Sequence, residues 1–395
     1  MVVACAVALA SLLLVAAAPA KFRGAPNSKL QRALEAIVRA PGGPPAISVM
    51  VDRGRRTEFL AAGVADRRSR RPPSPFDHFR IASVSKAFNA YLAAKLTGSG
   101  LSLDTTLGQS LPGLLPAAEA VTLRQLLQHT SGLPEYIRTP AFGEQLNADP
   151  TRYFSPTELT GFVRDLPLEF APGSEYEYSD TDNIAAGLME EKATGIPYER
   201  LLAKRVFGPL GMRNSVLPRT ERMPRPFLHG YDVEPGSKPE DVSELINPAG
   251  AWASGGIVST PIDLSRFVRA YVPTVLRASR AGGVSFRPGA SSPPGPGENF
   301  AGIGIFRYRT GCGTVYGHTG SFPGYRVFLA DHSRRRVCRG RRGDHQGAGA
   351  CRLSRPELIS EPAPARARRS PARRAGSPPA ARAASGSGGG AARGR

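Results

Sequence analysis

Residues 79–90 read FRIASVSKAFNA and contain the single Ser-x-x-Lys match of the chain, Ser83 to Lys86. Apolar residues recur at helical spacing from Val84 to Leu92, which predicts a helix that begins near Ser83. Residues three apart share one face at the start of a helix, so the Ser83 hydroxyl and the Lys86 amine are predicted to meet. An amine in that place can take the proton of a hydroxyl that is otherwise a weak nucleophile. Ser83 is therefore a candidate nucleophile.

Tyr178, in the stretch Tyr178-Ser179-Asp180, is a second candidate for chemistry. A tyrosine near Lys86 can shuttle a proton between a nucleophile and a leaving group. The alternative is a tyrosine that packs its ring in the core and hydrogen-bonds its hydroxyl inside the protein. Taken alone, the stretch leaves both interpretations open.

A third candidate is the segment His318-Thr319-Gly320, followed by Ser321, on a predicted edge strand. The small residue after Thr319 allows a substrate to lie along this strand as an added strand. The alternative is a polar turn between two strands, and the segment alone does not decide between them.

The two ends of the chain are predicted to form strands and its middle to form helices. Strands are expected at residues 46–52 and 57–64, and three more follow one another at 301–309, 314–320 and 324–331. This order predicts an α+β fold, in which an antiparallel sheet is built from both chain ends beside an all-helical region.

Hydroxyl residues mark three helix starts in the middle of the chain, at Thr122, Ser155 and Thr260. Each can accept a hydrogen bond from a free backbone N–H group, and the polar residue three positions later is predicted to reach back. Residues 279–298 are rich in Gly, Pro and Ser and are predicted to form a surface loop.

The three motifs, in this order, resemble those of serine hydrolases related to class C β-lactamases. That group includes D-Ala-D-Ala carboxypeptidases, D-amino-acid amidases and esterases. The resemblance spans roughly residues 30–331. The stretches that carry it are FRIASVSKAFNA at 79–90, VTLRQLLQHTSGLPEY at 121–136, residues 172–195, NPAGAWASGGIVSTPIDLSRF at 247–267 and YGHTGSFPGY at 316–325.

The resemblance implies a β-lactamase/transpeptidase-like fold and an acyl-enzyme formed on Ser83, with Lys86 and Tyr178 as base and acid. It implies an oxyanion hole made by the backbone N–H groups of Ser83 and Ser321, and it implies no metal or organic cofactor. The residues that it places around the substrate are Asp180, His318, Thr319, Gly320 and Ser321.

Two positions refine what the resemblance implies. His318 stands where β-lactamases of this group usually have Lys, which ranks D-Ala-D-Ala carboxypeptidase first, esterase second and β-lactamase third. Asp180 replaces the Asn of the group's Tyr-x-Asn pattern, and an ionised carboxylate only accepts hydrogen bonds. Asp180 is therefore expected to hold Lys86 in its protonated state. Asn183 is at the wrong spacing to replace the missing Asn, and His129 is predicted to be a structural residue at a helix end.

Residues 1–20 form an apolar run that carries no charged side chain and ends in Ala18-Pro19-Ala20. This pattern resembles a secretory signal peptide and predicts a secreted or extracytoplasmic bacterial protein with no membrane span after cleavage. The alternative is an uncleaved membrane anchor. The four cysteines form no C-x-x-C pair, so neither a zinc nor a redox motif is present; they are Cys5, Cys312, Cys338 and Cys351.

Residues 333–395 depart from the resemblance. They contain 16 Arg, no Lys and three acids, which contribute +13 of the net charge of +20, and they replace the family's closing strand and helix. Three explanations compete: a basic disordered extension, a shifted reading frame in a GC-rich gene, and a variant that dispenses with the last strand. The shifted frame is favoured, because an extension would follow the closing strand and helix and not replace them.

The predicted organisation is a signal peptide at residues 1–20, a hydrolase domain at 21–332 and a tail at 333–395. The tail lacks the aromatic platform of nucleic-acid binders, so no nucleic-acid partner is predicted. The resemblance implies a small-molecule or peptide substrate, and a monomer is expected. A non-catalytic binding remnant on the same fold is the rival hypothesis. Loss of a central strand predicts that the chain as written is poorly soluble or inactive.

Overall fold

A computed structural model of the protein describes residues 29–332, except residues 55, 234–237, 290, 292–294 and 312. The predicted signal peptide at residues 1–20, the tail at 333–395 and the four cysteines lie outside the described residues.

Helices occupy most of the middle of the described chain. The α-helices are α1 (Lys29–Arg39), α2 (Lys86–Leu96), α3 (Leu107–Ser110), α4 (Leu123–Leu127), α5 (Pro140–Ala148), α6 (Pro156–Gly161), α7 (Asp180–Thr194), α8 (Tyr198–Leu202), α9 (Gly208–Leu210), α10 (Trp252–Gly255) and α11 (Pro261–Ala281). Short 3₁₀ turns lie at Ala82–Ser85, Pro116–Ala118, Tyr136–Arg138 and Pro248–Gly250, and a π-helical turn lies at Ala203–Phe207.

Strands lie towards both ends, with short pairs between them. They are β1 (Ala46–Asp52), β2 (Thr57–Gly63), β3 (Phe79–Arg80), β4 (Tyr231–Asp232), β5 (Glu240–Asp241), β6 (Val258–Ser259), β7 (Arg287–Pro288), β8 (Glu298–Ala301), β9 (Phe306–Thr310), β10 (Gly313–Phe322) and β11 (Tyr325–Asp331).

The C-terminal strands of the described chain form an antiparallel five-stranded sheet in the order β11-β10-β9-β8-β7. β1 and β2 form a separate antiparallel hairpin, in which Val49 faces Leu60. Both β1 and β11 pack against α11. The predicted α+β class and its antiparallel pairing are confirmed. The two chain ends, however, form two sheets among the described residues and not one, because no described strand hydrogen-bonds to both β1 and β11.

Two local predictions differ from the structure near the C-terminal sheet. The predicted surface loop at 279–298 is shorter, since α11 continues to Ala281 and residues 287–288 form β7. The predicted strand at 301–309 is two strands, β8 and β9. Between them, the Gly304 N–H donates to the Leu127 carbonyl (2.7 Å), which docks this connection on the helical region.

The central helix α2 explains why the helical region has one continuous core. Its apolar residues are buried around the whole circumference, as expected for a helix surrounded by other elements. Phe88 stacks on Phe267 of α11 with ring centroids 3.7 Å apart, and α7 packs on another side. Burying a phenylalanine side chain stabilises a fold by about 1.5–3 kcal/mol. This packing therefore holds the segment before α2 in place where it joins the helix.

The three predicted helix caps are present. Thr122 and Ser155 form complete capping boxes with Gln125 and Glu158. Thr260 accepts the N–H of Asp263, but the reciprocal part of that prediction is wrong. The Asp263 carboxylate accepts hydrogen bonds from the Asn214 N–H (2.7 Å) and from the Ser215 hydroxyl (3.0 Å). It thus joins α11 to a distant loop.

Candidate active site

Ser83 lies in a 3₁₀ turn, Ala82–Ser85, that connects β3 to α2. The Ile81 N–H donates to the Ile257 carbonyl (3.1 Å), and the Ile257 N–H donates to the Ser85 hydroxyl (3.2 Å). These bonds fix the turn from both sides of Ser83. In the run 81–93 Ser83 is the one residue that keeps partial exposure, so its hydroxyl can be reached from outside.

The residue before Ser83 has a strained backbone. Ala82 has φ 51°, in the left-handed region that residues with a Cβ rarely adopt. Backbone strain of this kind costs on the order of 1–3 kcal/mol and clusters at active sites and switch regions. The strain at Ala82 agrees with a turn that is shaped to present Ser83.

Lys86 is the first residue of α2 and is fully buried. Its Nζ donates to Ser83 Oγ (3.2 Å), to the Ser254 carbonyl (3.0 Å) and to Asp180 Oδ1. An ammonium has three N–H donors, and these three acceptors use all of them. Burial lowers the pKa of Lys86, but the Asp180 carboxylate and then Tyr178 outweigh that effect and raise its pKa above the usual range. Asp180 holds Lys86 in its protonated state, as the sequence predicts.

Asp180 is the first residue of α7, where the helix dipole favours a carboxylate. Its backbone N–H donates to Glu135 Oε2, and Glu135 Oε1 accepts the Ile137 N–H (3.2 Å). The Glu135 side chain is nearly buried, with 7% of the residue exposed. Burial, and then the negative charge of Asp180, raise the pKa of Glu135 to about 7. Glu135 therefore takes up a proton more readily than an ordinary glutamate.

Tyr178 lies directly before the start of α7. Its ring centroid lies 4.8 Å from Lys86 Nζ and 4.4 Å from the ring of His129. Burial raises the pKa of Tyr178, and the positive charge of Lys86 opposes that rise. The structure thus brings Tyr178 beside Lys86.

His129 follows α4 and is buried with φ 58°. Its Nδ1 lies 3.2 Å from Asp182 Oδ2 and accepts the Ser179 N–H (3.2 Å). Burial, and then the charges of Lys86 and His318, lower the pKa of His129 well below its usual range. His129 is therefore a neutral side chain that holds the Tyr178 segment in place. It lies at the helix end where the sequence predicts it.

β10 brings the third motif to the Ser83 turn. Residues 313–317 of β10 pair with β9, but its residues 318–322 pair only with β11. The predicted edge strand is thus internal over its first half and an edge over its second half among the described residues. Gly320 lies against the turn: a Cβ added there would be 2.4 Å from the Ile81 carbonyl oxygen and 3.3 Å from the Ser83 nitrogen. The structural reason for a glycine is therefore this close approach to Ser83.

The side chains of β10 differ in exposure. His318 and Thr319 are buried, whereas Ser321 is exposed. His318 Nδ1 lies 2.6 Å from the Thr319 carbonyl oxygen. Burial lowers the pKa of His318 to about 3, so its ring is neutral at physiological pH. The segment offers backbone and neutral polar groups at the Ser83 turn.

Sequence reasoning missed four contributors to this site. Glu135 lies in a turn with no spacing rule that joins it to Asp180, and Ser254 contributes only its carbonyl. Ser131 donates its hydroxyl to Asp182, whose carboxylate is buried. Asn183, in contrast, faces away from the site as its spacing predicts: its side-chain oxygen accepts a hydrogen bond from Asn89 in the core (3.0 Å).

Comparison with known proteins identifies the family. The Beta-lactamase family matches residues 31–336, most of the chain. The chain belongs to the Beta-lactamase family. Among solved structures, this family member is similar to a D-stereospecific amidohydrolase from Streptomyces sp. (TM-score 0.64, 28% identity, 75% of this chain and 87% of that one). It is also similar to the D-amino acid amidase from Ochrobactrum anthropi SV3 (TM-score 0.64, 28% identity, 75% and 86%).

Curated relatives of this family member carry several names. A D-aminopeptidase of Cereibacter sphaeroides is 30% identical over 207 residues, 51% of this chain and 39% of that protein. Esterase EstB of Burkholderia gladioli is 33% identical over 199 residues, 47% and 50%. Penicillin-binding protein 4 of Amycolatopsis lactamdurans is 30% identical over 248 residues, 61% and 61%. The chain spans less than two thirds of each of these proteins, so they fix the family and the fold but no single activity.

Two further observations concern the described part of the chain. No helix in it is long and apolar enough to cross a membrane. No group of three or more His, Cys, Asp or Glu side chains in it is arranged to hold a metal ion.

Proposed function

We propose that the protein is a serine hydrolase that forms an acyl-enzyme on Ser83. The observation that carries the proposal is the 3.2 Å hydrogen bond from Lys86 Nζ to Ser83 Oγ, in a turn where Ser83 alone stays accessible. In the reaction Ser83 Oγ attacks the substrate carbonyl carbon and loses its proton, and the leaving group departs with a proton. Water then attacks the acyl carbon and releases Ser83.

Lys86 and Tyr178 share the proton transfers in this proposal. Lys86 donates all three N–H bonds in the resting site and holds no free lone pair there. It must lose a proton before it can accept one from Ser83, or it must act by stabilising a Tyr178 phenolate that accepts it. The backbone N–H groups of Ser83 and Ser321 are proposed to bind the carbonyl oxygen as it gains charge.

The proposed substrate is a peptide or amide of a D-amino acid. D-Alanyl-D-alanine carboxypeptidase is the first specific form, with Asp180, His318, Thr319, Gly320 and Ser321 around the substrate. The penicillin-binding relative supports it.

A second specific form is a D-aminopeptidase or D-amino acid amidase, which the names of a relative and of two solved structures support. One observation favours it. His318 is buried and neutral and gives no positive charge to a substrate carboxylate, whereas Asp180 and Glu135 are acidic. Esterase and β-lactamase activities follow in that order.

Labelling with an alkyl fluorophosphonate, followed by mass spectrometry of the intact protein and its peptides, tests the acyl-enzyme. One adduct on Ser83 is expected, which Ser83→Ala abolishes. Ser99→Ala, at an exposed serine outside the site, is the matched control and keeps the adduct. Absence of an adduct in folded protein overturns the proposal in favour of a non-catalytic binding protein.

A panel of substrates then separates the specific forms. It contains a D-Ala-D-Ala peptide, a D-amino acid amide, a short-chain ester and a penicillin. A carboxypeptidase releases D-alanine from the first, whereas an amidase prefers the second. A larger kcat/KM for the ester than for both amides overturns the D-amino acid proposal.

The organisation and location are part of the proposal. We propose a signal peptide at residues 1–20, a hydrolase domain at 21–332 and a frame-shifted tail at 333–395, with an extracytoplasmic destination. Translation of the gene in the other frames beyond the codon for residue 332 tests the tail. One of these frames is expected to encode an apolar strand followed by an amphipathic helix. If neither frame encodes them, the frame-shift proposal is overturned.

A further inference from the structure

Next to the ion pair of Lys86 and Asp180 lies a second carboxylate, Glu135, which the Ser-x-x-Lys and Tyr-x-Asn motifs do not include. Asp180 accepts from Lys86 Nζ with its side chain and donates its own N–H to Glu135. Glu135 is therefore joined to Lys86 through one residue, Asp180.

The segment that carries Glu135 is tied to the start of α7. The Tyr136 N–H donates to the Thr181 hydroxyl (3.0 Å), and that hydroxyl donates to the Pro134 carbonyl (2.7 Å). These two hydrogen bonds hold the backbone on both sides of Glu135 against the start of α7. The Asp180 N–H then holds the Glu135 side chain itself.

The resting state of Lys86 limits its chemistry. Lys86 is a buried cation, and the negative charge of the carboxylates beside it favours its protonated form. Lys86 loses its proton only if that negative charge is weakened. We propose that Glu135 and Asp180 act as a carboxylate pair that sets the protonation of Lys86, and through it the pH range in which Ser83 is activated. This inference rests on the proposed function. Glu135 is a positioning residue here, because it acts through Asp180 and Lys86.

The direction of the effect follows from the charges. A charge on Glu135 adds to the negative field beside Lys86 and makes release of the Lys86 proton harder, whereas a protonated Glu135 leaves that field weaker. The other titratable groups that act on Lys86 are Tyr178, His318, His129 and Asp182, and the two histidines are neutral at physiological pH.

Rates of Ser83 acylation by a fluorophosphonate, measured from about pH 6 to about pH 11, test the inference. Because the pKa of Lys86 lies above its usual range, the wild-type rate is expected to be still rising at the upper limit. Asp180→Asn removes the contacting charge and keeps the side-chain shape. Removal of an opposite charge at this range moves a pKa by about 1–3 units, so the alkaline rise in rate is expected to move down by at least about one pH unit. Glu135→Gln keeps an acceptor for the Asp180 N–H, and it is expected to move the rise the same way by less.

Glu177→Gln is the matched control. Glu177 is a half-exposed carboxylate three residues before Asp180, and it pairs with Arg138. Its removal is expected to leave the midpoint of the pH profile in place. A purely structural role for Glu135 and Asp180 would lower the rate at every pH and leave the midpoint unmoved, and that result overturns the inference.

A second measurement covers variants that fold but react slowly. The ¹³Cε shift of Lys86 in protein labelled at lysine reports its protonation directly, and the chain has only seven lysines. Asp180→Asn is expected to lower the titration midpoint of Lys86. Unchanged titration in folded Asp180→Asn overturns the inference, whereas no labelling of Ser83 in any variant or the wild type overturns the proposed function instead.

Discussion

Gly320 of β10 lies so close to the turn of Ser83 that a Cβ added to it would stand 2.4 Å from the backbone oxygen of Ile81. The same Cβ would stand 3.3 Å from the nitrogen of Ser83. β10 and the nucleophile turn are therefore in backbone contact, and the site is closed by two elements that are far apart in the chain.

Gly320→Ala is expected to push β10 away from this turn. Because backbone cannot yield as a flexible side chain does, we expect a loss of about 1–3 kcal/mol in the free energy of unfolding, with much slower Ser83 acylation. Urea denaturation and fluorophosphonate kinetics measure the two effects. Gly311→Ala is the control, since a Cβ there meets nothing within 4 Å. Equal behaviour of the two variants would show that the close approach does not matter.

His318→Gln is expected to make the protein less sensitive to acid. His318 has a pKa of about 3 in the folded protein, lower than its ordinary value of 6.5, so the unfolded chain takes up the proton first. The contribution of neutral His318 to the free energy of unfolding is therefore present above pH 6.5 and is lost as the pH falls. At pH 5 the loss amounts to about 2 kcal/mol.

The free energies of unfolding of the wild type and of His318→Gln, measured between pH 7 and pH 5, check this effect. The difference between the two free energies is expected to narrow or reverse as the pH falls. His332→Gln, at an exposed histidine, is the control and should follow the wild type. A pH-independent difference between His318→Gln and wild type contradicts the prediction.

Arg80→Met is expected to destabilise the fold strongly. Arg80 lies on β3, three residues before Ser83, and is 1% exposed. Its guanidinium donates to the Ser243 carbonyl (2.9 Å) and to the Glu221 carbonyl (2.5 Å). Methionine fills similar space but leaves both oxygens unpaired, at a cost of about 1–3 kcal/mol each. Urea denaturation measures the loss in the free energy of unfolding. Arg205→Met, at an exposed arginine, is the control. A loss below about 0.5 kcal/mol in Arg80→Met contradicts the prediction.

The outer edges of β1 and β11 are expected to make the full chain associate. Each strand has one hydrogen-bonded neighbour among the described residues, and Phe328 on β11 is 49% exposed. Free strand edges pair with other chains, and lysine on an edge strand prevents this. Phe328→Lys is therefore expected to reduce both association in size-exclusion chromatography and binding of a hydrophobic dye.

Leu245→Lys is the control for that experiment, because Leu245 is equally exposed, at 48%, but lies on no strand. Its association should remain that of the wild type. A monodisperse wild-type monomer that binds no dye rules out association through these edges.

The sequence predicted those parts of the site that depend on local spacing. Ser83 and Lys86 meet because three residues make one turn, and the caps at Thr122 and Ser155 form because each hydroxyl has its partner three residues on. The ionic role of Asp180 followed from the chemistry of a carboxylate in place of an amide.

The parts that escaped prediction depend on contacts between distant segments. Glu135 reads as a turn residue, and only the packing of its turn against α7 makes it a partner of Asp180. The separation of the two sheets is a matter of which strands pair, and no pattern within β1 or β11 encodes that choice. The boundary between β8 and β9 escaped prediction because residues 301–309 alternate like one strand. The chain leaves that pattern where the Gly304 N–H donates to the Leu127 carbonyl of α4.

The contact of β10 with the Ser83 turn also dictates when the site can form during synthesis. Ser83 leaves the ribosome early and β10 late, with the helical region between them. Closing so long a loop is slow, and it has to wait for the helices that fill it. A nascent chain therefore lacks the contact between Gly320 and the Ser83 turn until the C-terminal sheet docks.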